Sequence, residues 1–175
     1  MFKNSYSENN LEGGPAPLLD RARPLAQSLL VLLLFGLTSC QTALPLPKMN
    51  LAESGWTTRQ GQAVWCPGRD APEIAGDLIL ATNPDGRAFV HFSKSPVTLA
   101  VAEKTVNTWQ VEFPAWNRRY AGRGKPPGRL VWLILAGAVS GTPPPKPWSW
   151  QQLEDGNWRL DNPVTGESLA GCFTS

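Results

Sequence analysis

The sequence holds few of the residues on which catalytic and metal chemistry depends. It has one histidine, His91, and three cysteines in 175 residues. It contains no C-x-x-C or H-E-x-x-H pattern and no acidic cluster spaced like a calcium loop. The segment GESLAG around Ser168 misses the nucleophile-elbow spacing by one residue. These absences argue against an enzyme, a metal site and a cofactor, and they leave His91 as a predicted polar-face residue of a strand.

Charge and long apolar runs are also scarce. Charged residues make up 17% of the chain, and the formal net charge is +2. So weak a charge does not suggest a nucleic-acid partner. The uncharged run from Leu25 to Leu37 is too short for a permanent membrane helix, which needs about 20 residues. The 17 prolines and 16 glycines argue against a long helical bundle and favour short elements joined by turns.

The apolar run fits a secretory signal because Arg21 and Arg23 precede it and small residues follow. Its end, LTSC (Leu37–Cys40), resembles the bacterial lipobox. In lipoproteins with that motif the cysteine is diacylated and the signal peptidase cuts before it. Two acyl chains anchor a protein stably, whereas one binds reversibly. The alternative is an ordinary signal peptide that contains a cysteine.

The lipobox divides the chain into three predicted parts. Residues 1–39 form the signal peptide, residues 40–54 the lipidated Cys40 with a proline-containing tether, and residues 55–175 one folded domain. Gln41 stands where lipoproteins kept in the inner membrane commonly carry Asp. By this resemblance we expect anchoring at the periplasmic face of the outer membrane, if the cell has one.

The domain is predicted to be mainly β. Apolar residues alternate with polar ones over short segments separated by turn signals, as in half-buried strands. About eight strands are expected: Thr57–Cys66, Gly76–Thr82, Arg87–Ser93, Val97–Glu103, Asn107–Phe113, Trp148–Glu154, Trp158–Asn162 and Glu167–Phe173.

Two segments break this strand pattern. Pro114–Gly128 is basic and rich in glycine and proline, which indicates an irregular loop. Arg129–Gly141 contains ten consecutive apolar or small residues, which fit a buried strand or a helix. Ala136, Gly137 and Ala138 favour the helix, with Gly141 as its stop. We expect it to cover an open sheet as a lid over Leu130–Val139.

This arrangement resembles the LolA/LolB-like lipoprotein carriers. The resemblance spans Gly55 to Phe173, and its carriers are DLILATNPDGRAFVHFSK, WQVEFP, RLVWLILAGAVSGTP and NWRLDNPVTGESLAG. It implies an unclosed antiparallel β-barrel covered by helix, with an apolar interior that receives acyl chains. Large side chains at alternating strand positions and on the lid are the candidate lining: Trp109, Val111, Phe113, Trp132 and Leu133. The alternative is that the eight tryptophans simply fill the barrel.

With Cys40 assigned to lipid, Cys66 and Cys172 remain. An even pair in an oxidising compartment suggests a disulfide, and the two cysteines fall in the first and last predicted strands. The alternative is two free thiols.

A cluster of cations within the basic loop is a candidate for contact with lipid phosphates. Its members are Arg118, Arg119, Arg123 and Lys125. A solvated loop is the alternative. Trp116 and Tyr120 nearby suit a membrane interface. The leading functional hypothesis is a lipid-anchored protein that holds lipid or lipoprotein acyl chains. The other is an assembly lipoprotein with a packed barrel that docks a protein partner on the basic loop.

The lipid anchor can be tested directly. Replacing Cys40 by Ser removes the thiol that takes the acyl chains, so we expect the Cys40→Ser protein to keep residues 1–39 and to incorporate no labelled palmitate. Intact mass and palmitate labelling in cells measure both. Cys66→Ser is the matched control and should be cut and labelled like the wild type. Lipid on the Cys40→Ser protein would contradict the assignment.

Overall fold

The computed structural model describes residues 49–174. The predicted signal peptide, the lipidation site Cys40 and most of the tether lie outside these residues.

Nine antiparallel strands form a single sheet. They are β1 (Thr57–Cys66), β2 (Ile74–Thr82), β3 (Ala88–Lys94), β4 (Val97–Lys104), β5 (Thr108–Phe113), β6 (Arg118–Arg123), β7 (Ser149–Gln152), β8 (Asn157–Asp161) and β9 (Ser168–Thr174). Their order is β6-β5-β4-β3-β2-β1-β9-β8-β7. The outer strands β6 and β7 do not pair with each other, so the barrel is unclosed. The predicted class is confirmed, with nine strands in place of about eight.

Alternation along each strand separates an inner, buried face from an outer face. In β3, Ala88, Val90 and Phe92 are buried while the residues between them are partly exposed. In β8, Trp158 and Leu160 are buried on either side of the exposed Arg159. Because side chains alternate across a strand, this pattern places Val90, Phe92, Trp158 and Leu160 on the buried side of the sheet, whereas Phe89 lies on the other side with His91.

The sheet curls strongly around its inner face. Trp65 on β1 and Phe113 on β5 stack with ring centroids 5.9 Å apart. Three strands separate β1 from β5, so a flat sheet would hold these strands about 19 Å apart at roughly 4.8 Å per step. The contact is possible only because the sheet bends into a half-barrel. Here, half-barrel means the whole curved sheet.

One helix, α1 (Val131–Val139), lies in the concave face and packs on β2, β3 and β4. It is apolar on all sides, and seven of its nine residues are buried. A helix of this kind belongs in a core. Trp132 stacks on Phe92 at 4.9 Å and meets the edge of Trp65 at 5.3 Å. The predicted lid helix is therefore present, and it fills the centre of the concave face.

Backbone geometry ends the helix at the predicted glycine. Gly141 has a φ of 84°, and its N–H donates to the Ala138 carbonyl at 3.0 Å. The next N–H, of Thr142, donates to the Gly137 carbonyl at 2.9 Å. This pair of bonds is a Schellman motif, which satisfies carbonyls that the helix itself leaves open.

The prediction that Pro114–Gly128 is an irregular loop is wrong in its middle. Residues Arg118–Arg123 form β6, which pairs with β5 along its whole length. Arg119 lies opposite Glu112, pairs with its carboxylate at 3.1 Å and donates to the Gln110 side chain at 2.6 Å. Cross-strand polar contacts with β5, and not an apolar alternation of its own, hold this strand in the sheet.

The predicted disulfide between Cys66 and Cys172 is also wrong. Both thiols are free, although β1 and β9 are indeed neighbours. In their register Cys66 lies opposite Ser168, while Cys172 lies opposite Gln62. The two cysteines are thus offset by four residues, about 13 Å along the strands, far beyond the reach of a disulfide. The Cys66 thiol instead donates to the Gly68 carbonyl at 3.1 Å.

The close packing of neighbouring atoms around Gly76 allows a test of how tightly the core is packed. A Cβ there would meet the Ser93 carbonyl oxygen and lie 2.9 Å from Cε2 of the buried Phe92. Gly76→Ala should therefore lower the free energy of unfolding by about 1–3 kcal/mol through overpacking. In the helix, a Cβ on Gly137 would meet only Thr142, at 3.8 Å. Gly137→Ala should be neutral or raise stability by up to about 1 kcal/mol. Urea unfolding followed by tryptophan fluorescence measures both, and equal effects would contradict the packing.

Candidate functional site

One end of the half-barrel holds a cavity beside the helix, and we call this end the mouth. It is the end where β1 begins, β2 and β4 end, and α1 terminates. A cavity of about 500 Å³ lies there between the helix and the sheet. Its lining comprises Thr57, Arg59, Thr82, Asn83, Pro84, Gly86, Arg87, Ala88, Lys104, Leu133, Ala136, Gly137, Val139, Ser140 and Thr142. Its volume falls within the range of small-molecule sites, about 300–1,000 Å³.

The helix supplies the apolar wall of the mouth cavity. Leu133, Ala136, Gly137 and Val139 border it, and together they cover nearly two turns of α1. Gly137 has no side chain and so leaves open space beside the helix. A Cβ added at this position would have Thr142 as its nearest neighbour, at 3.8 Å. This wall suits an apolar ligand group.

Two strand residues supply cations to the opposite wall. Arg59 lies opposite Leu80 and Lys104 opposite Ala88, so both project from the inner face of the sheet. Neither side chain forms an ion pair within residues 49–174. The Arg59 guanidinium lies 5.7 Å from the centre of the Phe173 ring. The mouth cavity therefore has an apolar helix wall facing a sheet wall that carries two cations.

A third cation at the mouth, Arg87, is already engaged. It bonds Glu53 at 2.8 Å and Asp85 at 2.7 Å, and it lies 5.2 Å from the Trp56 ring centre. Its backbone N–H donates to the Asp85 carboxylate at 2.9 Å, which lowers the pKa of that carboxyl. Arg87 therefore ties the start of the domain to the turn between β2 and β3.

A smaller cavity of about 250 Å³ continues along the helix. It lies between α1 and the two proline-rich segments that flank it, and it shares Lys104, Leu133, Gly137 and Thr142 with the mouth cavity. Pro126, Pro127, Pro143, Pro144 and Pro145 form its outer wall. The two cavities lie side by side along the helix, and we call them together the trough.

The predicted apolar lining is part of the packed core. Trp109, Val111, Trp132 and Leu133 are all buried, and Phe113 packs against them. Of the five, only Leu133 borders the mouth cavity. Trp132 fills the centre of the half-barrel. The structure thus brings these residues together in the packed core. The open space lies beside this core, at the mouth.

The predicted phosphate-contact residues fall into two groups. Arg118 and Arg119 begin β6, and Arg119 is engaged by Glu112 and Gln110. Arg123 ends β6 opposite Thr108, at the mouth, and Lys125 borders the smaller cavity. Only Arg123 and Lys125 therefore lie at the same end of the sheet as the mouth cavity.

Aromatic rings close the end of the half-barrel away from the mouth. Trp116 and Tyr120 are 47% and 40% exposed and both pack edge-on against Phe113. The Trp65 indole N–H donates to the Glu167 carboxylate at 3.1 Å. Burial raises the pKa of Glu167, and this hydrogen bond offsets part of the rise.

Sequence reasoning missed a groove of about 540 Å³ on the outer face. Outward-facing residues of β1, β2 and β9 line it, including Gln62, Val64, Asp77 and Cys172, with Leu153 at its rim. Short side chains at neighbouring outer positions leave this space. Its walls lack the combination of apolar surface and cations found at the mouth.

The single histidine of the sequence and the acidic side chains are candidate catalytic or metal-ligating groups. His91 lies on the outer face of β3, as predicted, with Nε2 3.3 Å from the Thr98 hydroxyl. Within residues 49–174, no three His, Cys, Asp or Glu side chains come together as metal ligands. No helix in that range has the length and apolar character needed to span a membrane.

Comparison with protein-family models and with curated proteins gives no match. The similarity to LolA/LolB-like carriers therefore rests on the residues quoted above and stays a prediction.

The raised pKa of Glu167 predicts a pH dependence. Ionisation is disfavoured in the folded state, so stability is greatest below the unfolded pKa, about 4.3, and falls as pH rises through the higher folded value. Gln keeps an oxygen acceptor for Trp65 without the charge. Glu167→Gln should therefore be more stable than wild type at pH 7 and equal to it near pH 4, in urea unfolding at both pH values. A constant difference between the two proteins would contradict this.

Proposed function

We propose that this protein is a lipid-anchored envelope protein that holds a lipid or lipoprotein acyl chain in the trough at the mouth of its half-barrel. In a diderm cell it would act at the periplasmic face of the outer membrane, in lipoprotein transport. The observation that carries the proposal is the mouth cavity, where the apolar wall of α1 faces Arg59 and Lys104.

The chemistry of the trough matches an anionic amphiphile. A negatively charged head group would meet Arg59 and Lys104, both of which lack an ion-pair partner in the described part of the chain. An acyl chain would lie on Leu133, Ala136 and Val139 and continue towards the prolines. Burial of the chain would contribute about 0.8 kcal/mol per methylene.

The packed interior favours a ligand position beside the helix over one beneath it. Trp132 occupies the space beneath α1 and is stacked on Phe92, so an acyl chain cannot lie there unless the helix moves. The trough needs no such movement, because it is open in the present arrangement. The proposed ligand site is therefore one flank of the predicted lid.

A bulky residue at position 137 tests this site. Gly137→Phe places a ring in the trough, and we expect at least a tenfold loss of bound lipid because the apolar wall is covered. Native mass spectrometry of the mature protein, released from detergent micelles, counts the bound lipid. Gly137→Ala is the matched control and should retain it.

A charge reversal gives an independent check. Lys104→Glu should reduce binding of anionic lipids selectively, whereas Lys94→Glu, an exposed residue at the other end of β3, should not. Wild-type protein without bound lipid, or Gly137→Phe protein with normal lipid, would contradict the proposal.

The edge strand β6 favours a second candidate function, that of an assembly lipoprotein that docks a protein partner. Among residues 49–174 the strand pairs only with β5, so its other edge offers backbone N–H and C=O groups to a further strand. Arg118 and Arg119 would favour an acidic segment. In this case a partner captured from the envelope would be lost on Arg118→Glu/Arg119→Glu and kept on Gly137→Phe. The lipid site predicts instead that bound lipid is kept in the Arg118→Glu/Arg119→Glu protein and lost in the Gly137→Phe protein.

A further inference from the structure

The hairpin between β4 and β5 and the neighbouring end of β6 together carry a surface at the mouth. We call it the tip surface and define it as Lys104, Val106, Arg123 and Lys125. The Gly124 N–H donates to the Asn107 carbonyl at 2.7 Å, which joins the end of β6 to the hairpin turn. Arg123 lies opposite Thr108, and Lys104 and Lys125 border the same small cavity. The three cationic residues therefore lie around one turn, with Lys104 on the inner face of the sheet and Arg123 on the outer face.

This surface is both cationic and apolar. None of its three cations forms an ion pair within residues 49–174. Val106 stands among them with 65% of its surface exposed. The neighbouring acid, Glu103, points to the outer face and accepts a hydrogen bond from Gln110 at 2.9 Å. Cations around an exposed apolar side chain suit contact with an anionic bilayer, where charges meet phosphates and the apolar group enters the interface.

The start of the domain lies at the same end. Glu53 bonds Arg87, and Arg87 lines the mouth cavity together with Lys104. Nine residue steps separate Cys40 from Met49. At about 3.3–3.6 Å per residue they span at most about 32 Å. An anchor at Cys40 would hold Met49 within that distance of the membrane, and Met49 precedes the mouth-bound Glu53 by four residues, whereas the aromatic end lies a strand length from the mouth.

We propose that the tip surface docks on the anionic phospholipid surface of the membrane that holds Cys40, so that the mouth of the half-barrel faces the bilayer. The proposal rests on the anchoring that is part of the proposed function, and it is independent of whether the trough holds a ligand. The proposal also assigns different roles to the four predicted phosphate-contact residues. Arg123 and Lys125 dock, whereas Arg118 and Arg119 do not.

Fluorescence quenching by membrane-bound quenchers tests this orientation. The mature lipidated protein, with Cys66→Ser and Cys172→Ser, receives a dye at Asn107→Cys, next to Val106, or at Ala115→Cys, at the aromatic end. Vesicles contain phosphatidylcholine alone or with phosphatidylglycerol, and carry lipids with a quencher near the head group. We expect strong quenching at position 107 only, and only with phosphatidylglycerol present.

Charge removal completes the test. Arg123→Gln/Lys125→Gln should shift the docking equilibrium by about 30-fold, from the contribution of two cations near an anionic surface, and so abolish quenching at position 107. Lys94→Gln/Arg118→Gln removes the same charge at the other end and should leave quenching unchanged. Equal quenching at positions 107 and 115, or quenching that survives the first double substitution, would overturn the proposal. Gly137→Phe should leave quenching intact, so a failure of the lipid site remains distinguishable.

Discussion

The contact of Trp132 with Phe92 and Trp65 is the interaction on which the rest of the structure depends. The indole of α1 stacks on β3 and meets the ring of β1, which in turn stacks on Phe113 of β5. These rings bring together strands that a flat sheet would hold far apart. Because large aromatic side chains bury much apolar surface and pack in preferred geometries, this one cluster can stabilise both the curl of the sheet and the seat of the helix.

The position of the open space follows from that cluster. The helix fills the centre of the concave face with the side chains of Trp132 and Leu135. Its side chains are smaller in the next turn, at Ala136, Gly137 and Ala138. Small residues there leave the inner face of the sheet uncovered, and the strand ends Arg59 and Lys104 project into the gap. The same gradient from large to small side chains that secures the core therefore creates a mouth with one apolar and one cationic wall.

Much of the fold could be predicted from the sequence, and the misses have physical causes. Alternation such as Trp158, Arg159, Leu160 identified strands, and a run of apolar residues ending at Gly141 identified the helix. The strand β6 was missed because RRYAGR has no apolar alternation and is held by its neighbour. The disulfide was wrong because the order of strands does not give their register. The inward position of the two mouth cations could have been predicted from the alternation. Arg59 shares its strand face with the buried Ala63 and Trp65, and Lys104 shares its face with the buried Ala100 and Ala102. The width of the gap between helix and sheet has no such signal, because it depends on how far the sheet curls.

The central claim is that an acyl chain binds beside α1 at the mouth. A fatty acid with a photoreactive group near its chain end, bound to the mature protein and activated by light, tests this most directly through mapping of the labelled peptides. The account predicts labels on the segment from Leu133 to Thr142 and on the prolines that face it. Labels on the outer-face groove around Gln62 and Cys172, or the absence of any specific label, would contradict it.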